Sequence, residues 1–552
     1  MSRAPRYADD NRAGTVKKLF SGTAILAVAT VLTKIIGLIY KVPLVHYVGV
    51  EGMAYFLAAN HVYVLLFVIS TSGLPVAVSV MVSGAVASGD SASVNKIYST
   101  ALGLFAFVGG LGTVAMLGGA AKISEWIGMP EAVSCIMAIS PAVLMACMAG
   151  AVRGYFQGHQ IMCHTAVSQV IEALGKLMLG LLGAIYAINK GMSSEQVAAY
   201  AIFGITMGVG LSTVYLIIAK SVFDTKRKVC IRLPDIKKLS VMKELVRLAL
   251  PITLSSSVLS LGGVIDTVLI PNNLAYCGFS ASEANRLYSC YGNMAVPLFG
   301  VVPSLIAPVA VSLVPMVSAN HSSANRNDEK NAICQSIKLT LLVAVPASLG
   351  ISFLATPILT MIFSSDVSAA NMAGPLLSIL SLSIIPACLI TTTNAILQAQ
   401  HRAGRTIFSM VCGIIVKLFC EYILVRQKNI NIYGAPVSTL LCDITVLSIN
   451  IYYVIKYSPE LRELVRDCIG IVWSALLSMG ATVVIWYTAK MNSLGNLGVI
   501  LTVCIAVVLY SVAVLIFGVV DRAMLNIFPR SDNKLRKRIK QNEQRTKDSI
   551  SA

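Results

Sequence analysis

Long apolar runs recur from one end of this 552-residue chain to the other, and they constrain its fold more than any other feature. The chain is 56% hydrophobic and only 12% charged, whereas a soluble globular protein is about 25% charged. An apolar run of about twenty residues is long enough to cross the hydrocarbon core of a bilayer as a helix. The strands of a membrane barrel would appear as alternating segments of about ten residues, and the sequence shows none. The sequence therefore predicts an all-α polytopic membrane protein.

The apolar runs predict about fourteen transmembrane helices. They cover residues 20–46, 53–84, 95–121, 132–154, 161–188, 196–220, 244–271, 288–319, 332–363, 372–400, 405–426, 433–456, 467–489 and 496–520. Lysines and arginines concentrate in the stretch 220–247 and in the tail after Arg530, as is typical of cytoplasmic segments. We therefore expect a protein of the cytoplasmic (plasma) membrane with both termini in the cytoplasm. Its net charge of +18 then favours contact with anionic lipids rather than with nucleic acid.

Matches between the two halves of the sequence predict an internal repeat. The sequence PVAVS at 75–79 recurs at 308–312, and Lys176 has a counterpart in Lys417. Such repeats predict two lobes of six helices, arranged as parallel repeats with the substrate between them. The predicted division is an N-terminal tail (1–19), an N-lobe (20–220), a basic linker (221–243), a C-lobe (244–456), two further helices (457–520) and a basic tail (521–552).

The first predicted helix carries two lysines within its apolar run. Lys34 and Lys41 are seven residues apart, so they lie on the same face of a helix. A cation at the centre of a bilayer costs about 2.5 to 3.5 kcal/mol on insertion scales, so it is retained where it faces a wet cavity or an anionic ligand. We therefore predict that both lysines bind a negatively charged substrate. For Lys41 the alternative is a side chain that snorkels toward the outer interface.

Five further ionisable residues are candidates for coupling or gating. Glu172 and Lys176 are four residues apart, as are Lys417 and Glu421, so the members of each pair can neutralise each other along one helix face. Each pair either joins helices or forms a gate or a coupling-ion site. Asp266 is the only acid in a long apolar stretch. It can pair with a lysine of the first helix or bind a coupling cation, Na⁺ or H⁺.

Two more residues are candidates for substrate binding. His61 lies in the second predicted helix, where a hydrogen-bonded core histidine is the alternative interpretation. Arg153 ends the fourth predicted helix in the sequence RGYFQG. Its guanidinium can bind a phosphate group through two parallel hydrogen bonds, but it can equally be an ordinary positive anchor at the cytoplasmic surface.

Motifs of enzymes and of metal sites are absent from the sequence. It has no P-loop, no GxSxG, no HExxH and no dinucleotide fingerprint. The thirteen cysteines show no CxxC spacing. We therefore expect no enzymatic activity, no cofactor and no bound metal. Transport must then draw on an ion gradient, the membrane potential, or the supply and removal of substrate.

Two stretches of the chain resemble a known family of transporters. They are residues 22–56 (GTAILAVATVLTKIIGLIYKVPLVHYVGVEGMAYF) and 153–172 (RGYFQGHQIMCHTAVSQVIE), with weaker matches at 250–271 and 291–299. They are similar to the polysaccharide-transporter branch of the multidrug/oligosaccharidyl-lipid/polysaccharide exporter superfamily. Within it, the stage V sporulation protein B group, related to the lipid II flippases, is the nearest. The resemblance extends over nearly the whole chain.

The resemblance implies two six-helix lobes around a cavity that opens alternately to each face. The implied substrate is an undecaprenyl-diphosphate-linked saccharide, first of all lipid II, flipped outward for cell-wall assembly in growth or sporulation, with cell-wall synthesis proteins as partners. TKIIG at 33–37 matches the family's Ser-Arg-x-x-Gly, which gives Lys34 the role of a cavity-facing cation. Three positions depart from the pattern: His164 replaces a proline, Gly292 replaces an arginine of Gram-negative relatives, and Lys176 stands where an arginine is common.

Other functions remain open from the residues alone. A drug/cation antiporter of the same superfamily would favour acids and aromatic residues along its cavity, and a flippase for another lipid-linked polysaccharide unit would share the lysines. A membrane-embedded sugar transferase needs acid clusters or a sizeable soluble loop, and neither is present. A scaffold without transport activity would give the buried lysines no purpose. The sequence fixes neither the saccharide, nor the coupling ion, nor the oligomeric state.

Overall fold

The computed structural model describes residues 7–227, 238–307, 326–400, 402–457 and 464–517. In these ranges the chain is helical apart from short turns, and it has no strand. The prediction of an all-α polytopic fold is therefore confirmed. The second PVAVS sequence, residues 228–237 of the basic linker and the C-terminal tail lie outside the described residues, and the division into lobes stays a prediction.

Seventeen helices can be delimited in the described ranges. They are α1 (Tyr7–Thr71), α2 (Leu74–Ala87), α3 (Ser91–Ile127), α4 (Val133–Ile139), α5 (Pro141–Gly158), α6 (Met162–Asn189), α7 (Ser194–Arg227), α8 (Lys238–Tyr276), α9 (Ala281–Ala307), α10 (Arg326–Phe353), α11 (Ala355–Ile362), α12 (Val367–Ser381), α13 (Ile384–Ala399), α14 (Ala403–Val425), α15 (Gly434–Tyr457), α16 (Leu464–Thr488) and α17 (Asn496–Ile516). Each of the fourteen predicted segments overlaps at least one of them.

Within the described residues, twelve helices are long and apolar enough to cross a membrane, or thirteen when the bent pair α12 and α13 counts as one span. One of the twelve, Val28–Ala87, is 60 residues long. About twenty residues suffice for one crossing, and this stretch is broken at Gly49, where φ is 77° and ψ is 160°. It therefore accommodates two crossings, which brings the number to the predicted fourteen.

The break between the first two crossings lies at Gly49, between the predicted segments 20–46 and 53–84. Pro43 lies inside α1, and the backbone leaves helical geometry only at Gly49. Glycine adopts a positive φ at little cost, whereas a proline in a transmembrane helix is tolerated when neighbouring helices compensate for the missing hydrogen bond. The same holds for Pro271, which lies inside α8 rather than at its end.

The ends of several helices follow from their capping residues. Asp90 caps α3 by accepting hydrogen bonds from the backbone N–H groups of Ser93 and Ala92, at 3.0 and 3.1 Å. A hydrogen bond from the Ser93 hydroxyl is the largest cause of the lowered pKa of Asp90. Ser280 and Glu283 form a reciprocal capping box at the start of α9. These caps fix the residues at which α3 and α9 begin. They therefore also fix the position of the inner residues of both helices along the helix axis.

Candidate functional site

The two lysines of the first helix differ in their surroundings. Lys34 is exposed, whereas Lys41 is half-buried, with its Nζ 3.5 Å from Oδ1 of Asn293. The amide nitrogen of Asn293 donates to the carbonyl oxygen of Met53 at 2.8 Å and to the hydroxyl of Ser289 at 3.2 Å. The side chain of Lys41 therefore connects the first crossing to α9, whereas the side chain of Lys34 is exposed.

Asn293 owes its position to a local irregularity of α9. Residues Cys290–Ala295 form a π-helical turn inside this helix, a feature that is frequent at functional sites. Gly292 lies in the same turn, and a Cβ at this position would approach Cδ2 of Leu57 to 2.1 Å. The position where Gram-negative relatives carry an arginine thus has no room for a side chain in this conformation. Sequence reasoning missed Asn293, since a single asparagine in an apolar run carries no spacing signal.

His61 is hydrogen bonded at the contact between the second crossing and α8. Its Nδ1 lies 2.7 Å from Oγ1 of Thr267 and 3.3 Å from the hydroxyl oxygen of Tyr288. The ring packs closely over Gly263, where an added Cβ would come within 3.1 Å of Cδ2. This setting matches the alternative interpretation of a hydrogen-bonded core histidine, and substrate binding by His61 stays a prediction.

Arg153 and Glu172 form an ion pair that joins two helices. Nη2 of Arg153 on α5 lies 2.8 Å from Oε2 of Glu172 on α6, and its Nε donates to the hydroxyl of Ser168 at 3.0 Å. The direct ion pair of Glu172 is therefore with Arg153, while Glu172 acts on Lys176 along α6 only electrostatically. The guanidinium of a neighbouring helix reaches the carboxylate with a better geometry, because two of its nitrogens can be satisfied at once.

Lys176 turns toward the first helix instead. Its Nζ lies 5.4 Å from the centroid of the Tyr40 ring, within the range of a cation–π contact. Lys176 interacts electrostatically with both Lys34 and Lys41. We call these three residues (Lys34, Lys41 and Lys176) the lysine cluster. Among the described residues, none of the three forms an ion pair with an acid.

A second group of charges is buried between α8, α14 and α15. Nζ of Lys417 lies 2.6 Å from Oδ1 of Asp266 and donates to the hydroxyl of Thr439 at 3.1 Å. Glu421, fully buried, accepts a hydrogen bond from Ser438 at 3.4 Å. We call Asp266, Lys417 and Glu421 the buried acid cluster.

The direct ion pairs in this cluster differ from those that the sequence suggests. The partner of Asp266 is Lys417 of α14 and not a lysine of the first helix, whereas Glu421 acts on Lys417 electrostatically without a direct ion pair. A coupling cation at Asp266 stays a prediction. Lys417 meets Asp266 because α8 and α14 pack directly against each other. Spacing along one helix cannot reveal such a neighbour.

An apolar groove lies between α10, α16 and α17. Its volume is about 390 Å³, and its lining is largely apolar, with Leu342, Gly350, Met479, Val503 and Tyr510 among its residues. Such a surface is suited to a hydrocarbon chain. Within the described ranges, no group of three or more His, Cys, Asp and Glu side chains could hold a metal ion.

The described chain is thus a polytopic helical bundle that has lysines without ion pairs on a membrane helix and an apolar groove at its side. The family model described as polysaccharide biosynthesis protein matches residues 19–321, and a model described as MatE matches residues 292–423. The chain belongs to the polysaccharide biosynthesis protein family, within the superfamily of multidrug and polysaccharide exporters. Members of this family are transporters and flippases rather than enzymes.

Several characterised proteins are similar to this chain. The lipid II flippase MurJ of Bacillus subtilis is 27% identical over 495 residues, which cover 85% of this chain and 89% of the relative. Stage V sporulation protein B of the same organism is 24% identical over 447 residues, covering 79% and 84%.

Two solved structures share the fold. The structure described as lipid II flippase MurJ in an inward closed conformation matches with a TM-score of 0.68 and 15% identity over 90% of this chain and 98% of that one. An inward-facing multidrug resistance transporter of the MATE family matches with a TM-score of 0.64 and 15% identity over 79% and 99%. At this level of identity, both matches establish the fold alone.

Proposed function

We propose that this chain is a flippase that moves an undecaprenyl-diphosphate-linked saccharide from the inner to the outer leaflet by alternating access. Lipid II is the first candidate, because the Bacillus subtilis flippase named for it is similar over most of both chains. The observation that carries the proposal is Lys34, an exposed lysine in the apolar run of α1 that forms no ion pair with a described residue. A cation that is retained in a membrane helix is expected to bind an anionic ligand.

The proposed cycle begins with the diphosphate head entering from the cytoplasmic leaflet. Lys34 and Lys41 offset the phosphate charge, since ammonium groups bind phosphate oxygens through charge-assisted hydrogen bonds. Lys41 is held by Asn293 in this conformation, so binding the head competes with a contact between the first crossing and α9. The polyprenyl chain stays in lipid and follows the groove between α10, α16 and α17, whose lining is largely apolar. The head is then released on the outer side.

The buried acid cluster is the proposed coupling element of this cycle. Asp266 and Glu421 provide two carboxyl groups against the one ammonium of Lys417, so an added cation would complete the balance of charge. We propose that both termini lie in the cytoplasm, because the segments around 220–247 and after 530 are basic. Contacts with anionic lipids follow from the same segments, and partners among cell-wall synthesis proteins stay a prediction.

The proposal is tested by headgroup translocation in proteoliposomes that contain the full chain. Lys34→Ala should slow translocation by about 10- to 100-fold, which corresponds to the loss of a hydrogen bond to a charged group. Lys34→Arg should retain most of the rate because it keeps the charge. Lys122→Ala serves as the matched control, since Lys122 is an exposed lysine on α3. Full activity of Lys34→Ala would remove Lys34 from the mechanism.

The identity of the saccharide requires a test in cells. The chain is expressed in cells that are depleted of their own lipid II flippases, and growth is followed. Growth supports lipid II as the substrate. Lack of growth, with translocation of another lipid-linked saccharide in proteoliposomes, would replace lipid II by that unit and leave the flippase activity in place.

A drug/cation antiporter is the second candidate function, because a MatE model matches residues 292–423. This function needs acids that face a cationic substrate. The acids of the buried acid cluster are largely buried, and Asp266 is paired with Lys417. Export of a cationic dye by cells that express the chain, without lipid translocation, would favour this candidate.

A further inference from the structure

Arg153 forms an ion pair with Glu172, the acid that could otherwise pair with Lys176. Glu172 lies one turn before Lys176 on α6, a spacing that favours an ion pair along the helix. Arg153 of α5 binds this carboxylate at 2.8 Å instead, and its Nε is fixed by the hydroxyl of Ser168 at 3.0 Å. A guanidinium held at two nitrogens has little freedom to move away. Lys176 therefore forms no direct ion pair with Glu172, although this carboxylate still acts on it electrostatically.

Lys176 is directed at the helix face that carries the two lysines of α1. Its ammonium lies 5.4 Å from the centroid of the Tyr40 ring, and Tyr40 stands directly before Lys41 in the sequence. The Tyr40 side chain is 1% exposed, so its ring offers a fixed surface. Lys176 also interacts electrostatically with Lys34 and with Lys41. Two helices thus bring three ammonium groups together.

The lysine cluster carries an excess of positive charge, because Glu172, the acid that acts on Lys176, is shared with Arg153. Among the described residues, no carboxylate forms an ion pair with Lys34, Lys41 or Lys176. Like charges that are partly removed from water repel each other more strongly than in solution. A ligand with several negative charges relieves this repulsion, whereas a neutral or cationic ligand does not.

We propose that Lys176 is the third ammonium of a diphosphate site formed with Lys34 and Lys41, and that Arg153 is a positioning residue that keeps Lys176 available by binding Glu172. This inference rests on the proposed function. It changes the roles that the sequence predicted for Lys176 and Arg153. Lys176 moves from gating to substrate binding, and Arg153 moves from substrate binding to positioning. The ligand class is a diphosphate, either as the head of a polyprenyl lipid or free in solution.

Binding of inorganic pyrophosphate to the full chain in nanodiscs tests the role of Lys176. Calorimetry should show that Lys176→Ala weakens binding by about 10- to 100-fold, as expected for the loss of a hydrogen bond to a charged group. Lys176→Arg should bind within about threefold of the wild type because the charge is kept. Lys122→Ala, which removes an exposed lysine of α3, should bind as the wild type does.

A double-mutant cycle tests the role of Arg153. Arg153→Ala releases Glu172 to pair with Lys176, so it should weaken pyrophosphate binding although Arg153 does not contact the ligand. Glu172→Gln alone should leave the affinity at or above that of the wild type. The double variant, Arg153→Ala with Glu172→Gln, should recover the wild-type affinity, because no acid then remains to compete. A purely structural role of Arg153 would give no such recovery.

The outcomes separate this inference from the proposed function. If Lys34→Ala weakens pyrophosphate binding and Lys176→Ala does not, the inference is overturned while the flippase proposal stands. A wild-type chain that binds no pyrophosphate also overturns it, and headgroup translocation then decides the proposed function separately. Polyprenyl diphosphate is titrated in parallel. Tighter binding of the lipid than of pyrophosphate identifies the lipid head as the ligand, and equal binding identifies free diphosphate.

Discussion

Single residues determine how buried charged side chains are stabilised inside this helical bundle. In the buried acid cluster, Lys417 is 6% exposed, Asp266 is 8% exposed and Glu421 is fully buried. Removing a charged group from water costs several kcal/mol, and a close partner offsets that cost only when the geometry is good. The 2.6 Å separation of Lys417 from Asp266 supplies such a partner. The cluster therefore depends on one ammonium to balance its acids.

Loss of Lys417 is expected to destabilise the protein strongly. Lys417→Met should lower the free energy of unfolding by about 3 to 5 kcal/mol, because it leaves Asp266 buried without a cation. The measurement is the unfolding midpoint in detergent, followed by intrinsic fluorescence. The double variant, Lys417→Met with Asp266→Asn, should regain part of the stability since it removes the uncompensated charge. Equal midpoints for the wild type and Lys417→Met would contradict this account.

For single residues, the sequence predicts which charged side chains are important better than it predicts the residues with which they form ion pairs. The charged residues stood out because each interrupts an apolar run, and that signal needs no tertiary information. The pairs Glu172–Lys176 and Lys417–Glu421 were inferred from spacing along one helix. Arg153 and Asp266 reach these helices from neighbouring ones instead. The packing of neighbouring helices decides which charged residues pair. The spacing of residues along one helix carries no information about that packing.

Glycines allow α6 and α7 to pack in close contact. A Cβ on Gly204 of α7 would lie 2.3 Å from the backbone of Gly180, and one on Gly208 would lie 2.7 Å from the carbonyl oxygen of Glu172. Small residues spaced four apart allow transmembrane helices to approach at this distance. The contact therefore sets the position of the helix that carries Lys176 and Glu172.

Alanine at the α6–α7 contact should cost stability that alanine elsewhere does not. Gly204→Ala should destabilise the protein by about 1 to 3 kcal/mol, because the atoms it meets belong to the backbone and cannot turn aside. Gly118→Ala is the matched control, since no atom lies within 4 Å of a Cβ on this exposed glycine of α3. It should leave stability unchanged or raise it by up to about 1 kcal/mol. Unfolding midpoints in detergent compare the two, and similar losses would count against this description.

The order of the helices was predictable from the sequence. A described helix overlaps each of the fourteen predicted segments, and the break at Gly49 lies between the first two of them. Pro43 does not end a helix, because it lies inside α1. A membrane helix can continue through a proline when packing satisfies the freed carbonyl, and packing is not visible in the sequence. The π-helical turn that presents Asn293 has no sequence signal for the same reason.

The whole molecule offers two surfaces of opposite chemistry. The lysine cluster lies on α1 and α6, while the apolar groove lies between α10, α16 and α17. An amphipathic lipid needs both, since its diphosphate requires cations and its hydrocarbon chain requires an apolar path. The sequence predicted the lysines of α1. The third wall of the groove, α10, became evident only from the fold.

Filling the groove should slow a substrate with a long hydrocarbon chain more than one with a short chain. Gly350 lines the groove, and no atom lies within 4 Å of a Cβ at this position. Gly350→Leu therefore adds a side chain at the groove lining, and its Cβ meets no existing atom. We expect translocation of the undecaprenyl-linked head to fall about tenfold, while a short-chain analogue is moved within about threefold of the wild-type rate.

The control for this effect must add the same side chain outside the groove. Gly480 is suitable because it lies on α16, one of the groove helices, yet it is exposed, and no atom lies within 4 Å of its Cβ position. Gly480→Leu should leave both substrates unaffected. An equal loss for the long and the short substrate in Gly350→Leu would mean that the substitution hinders the movement of the helices themselves. The hydrocarbon chain would then have to take another path, and the lysine cluster would keep its role independently of the groove.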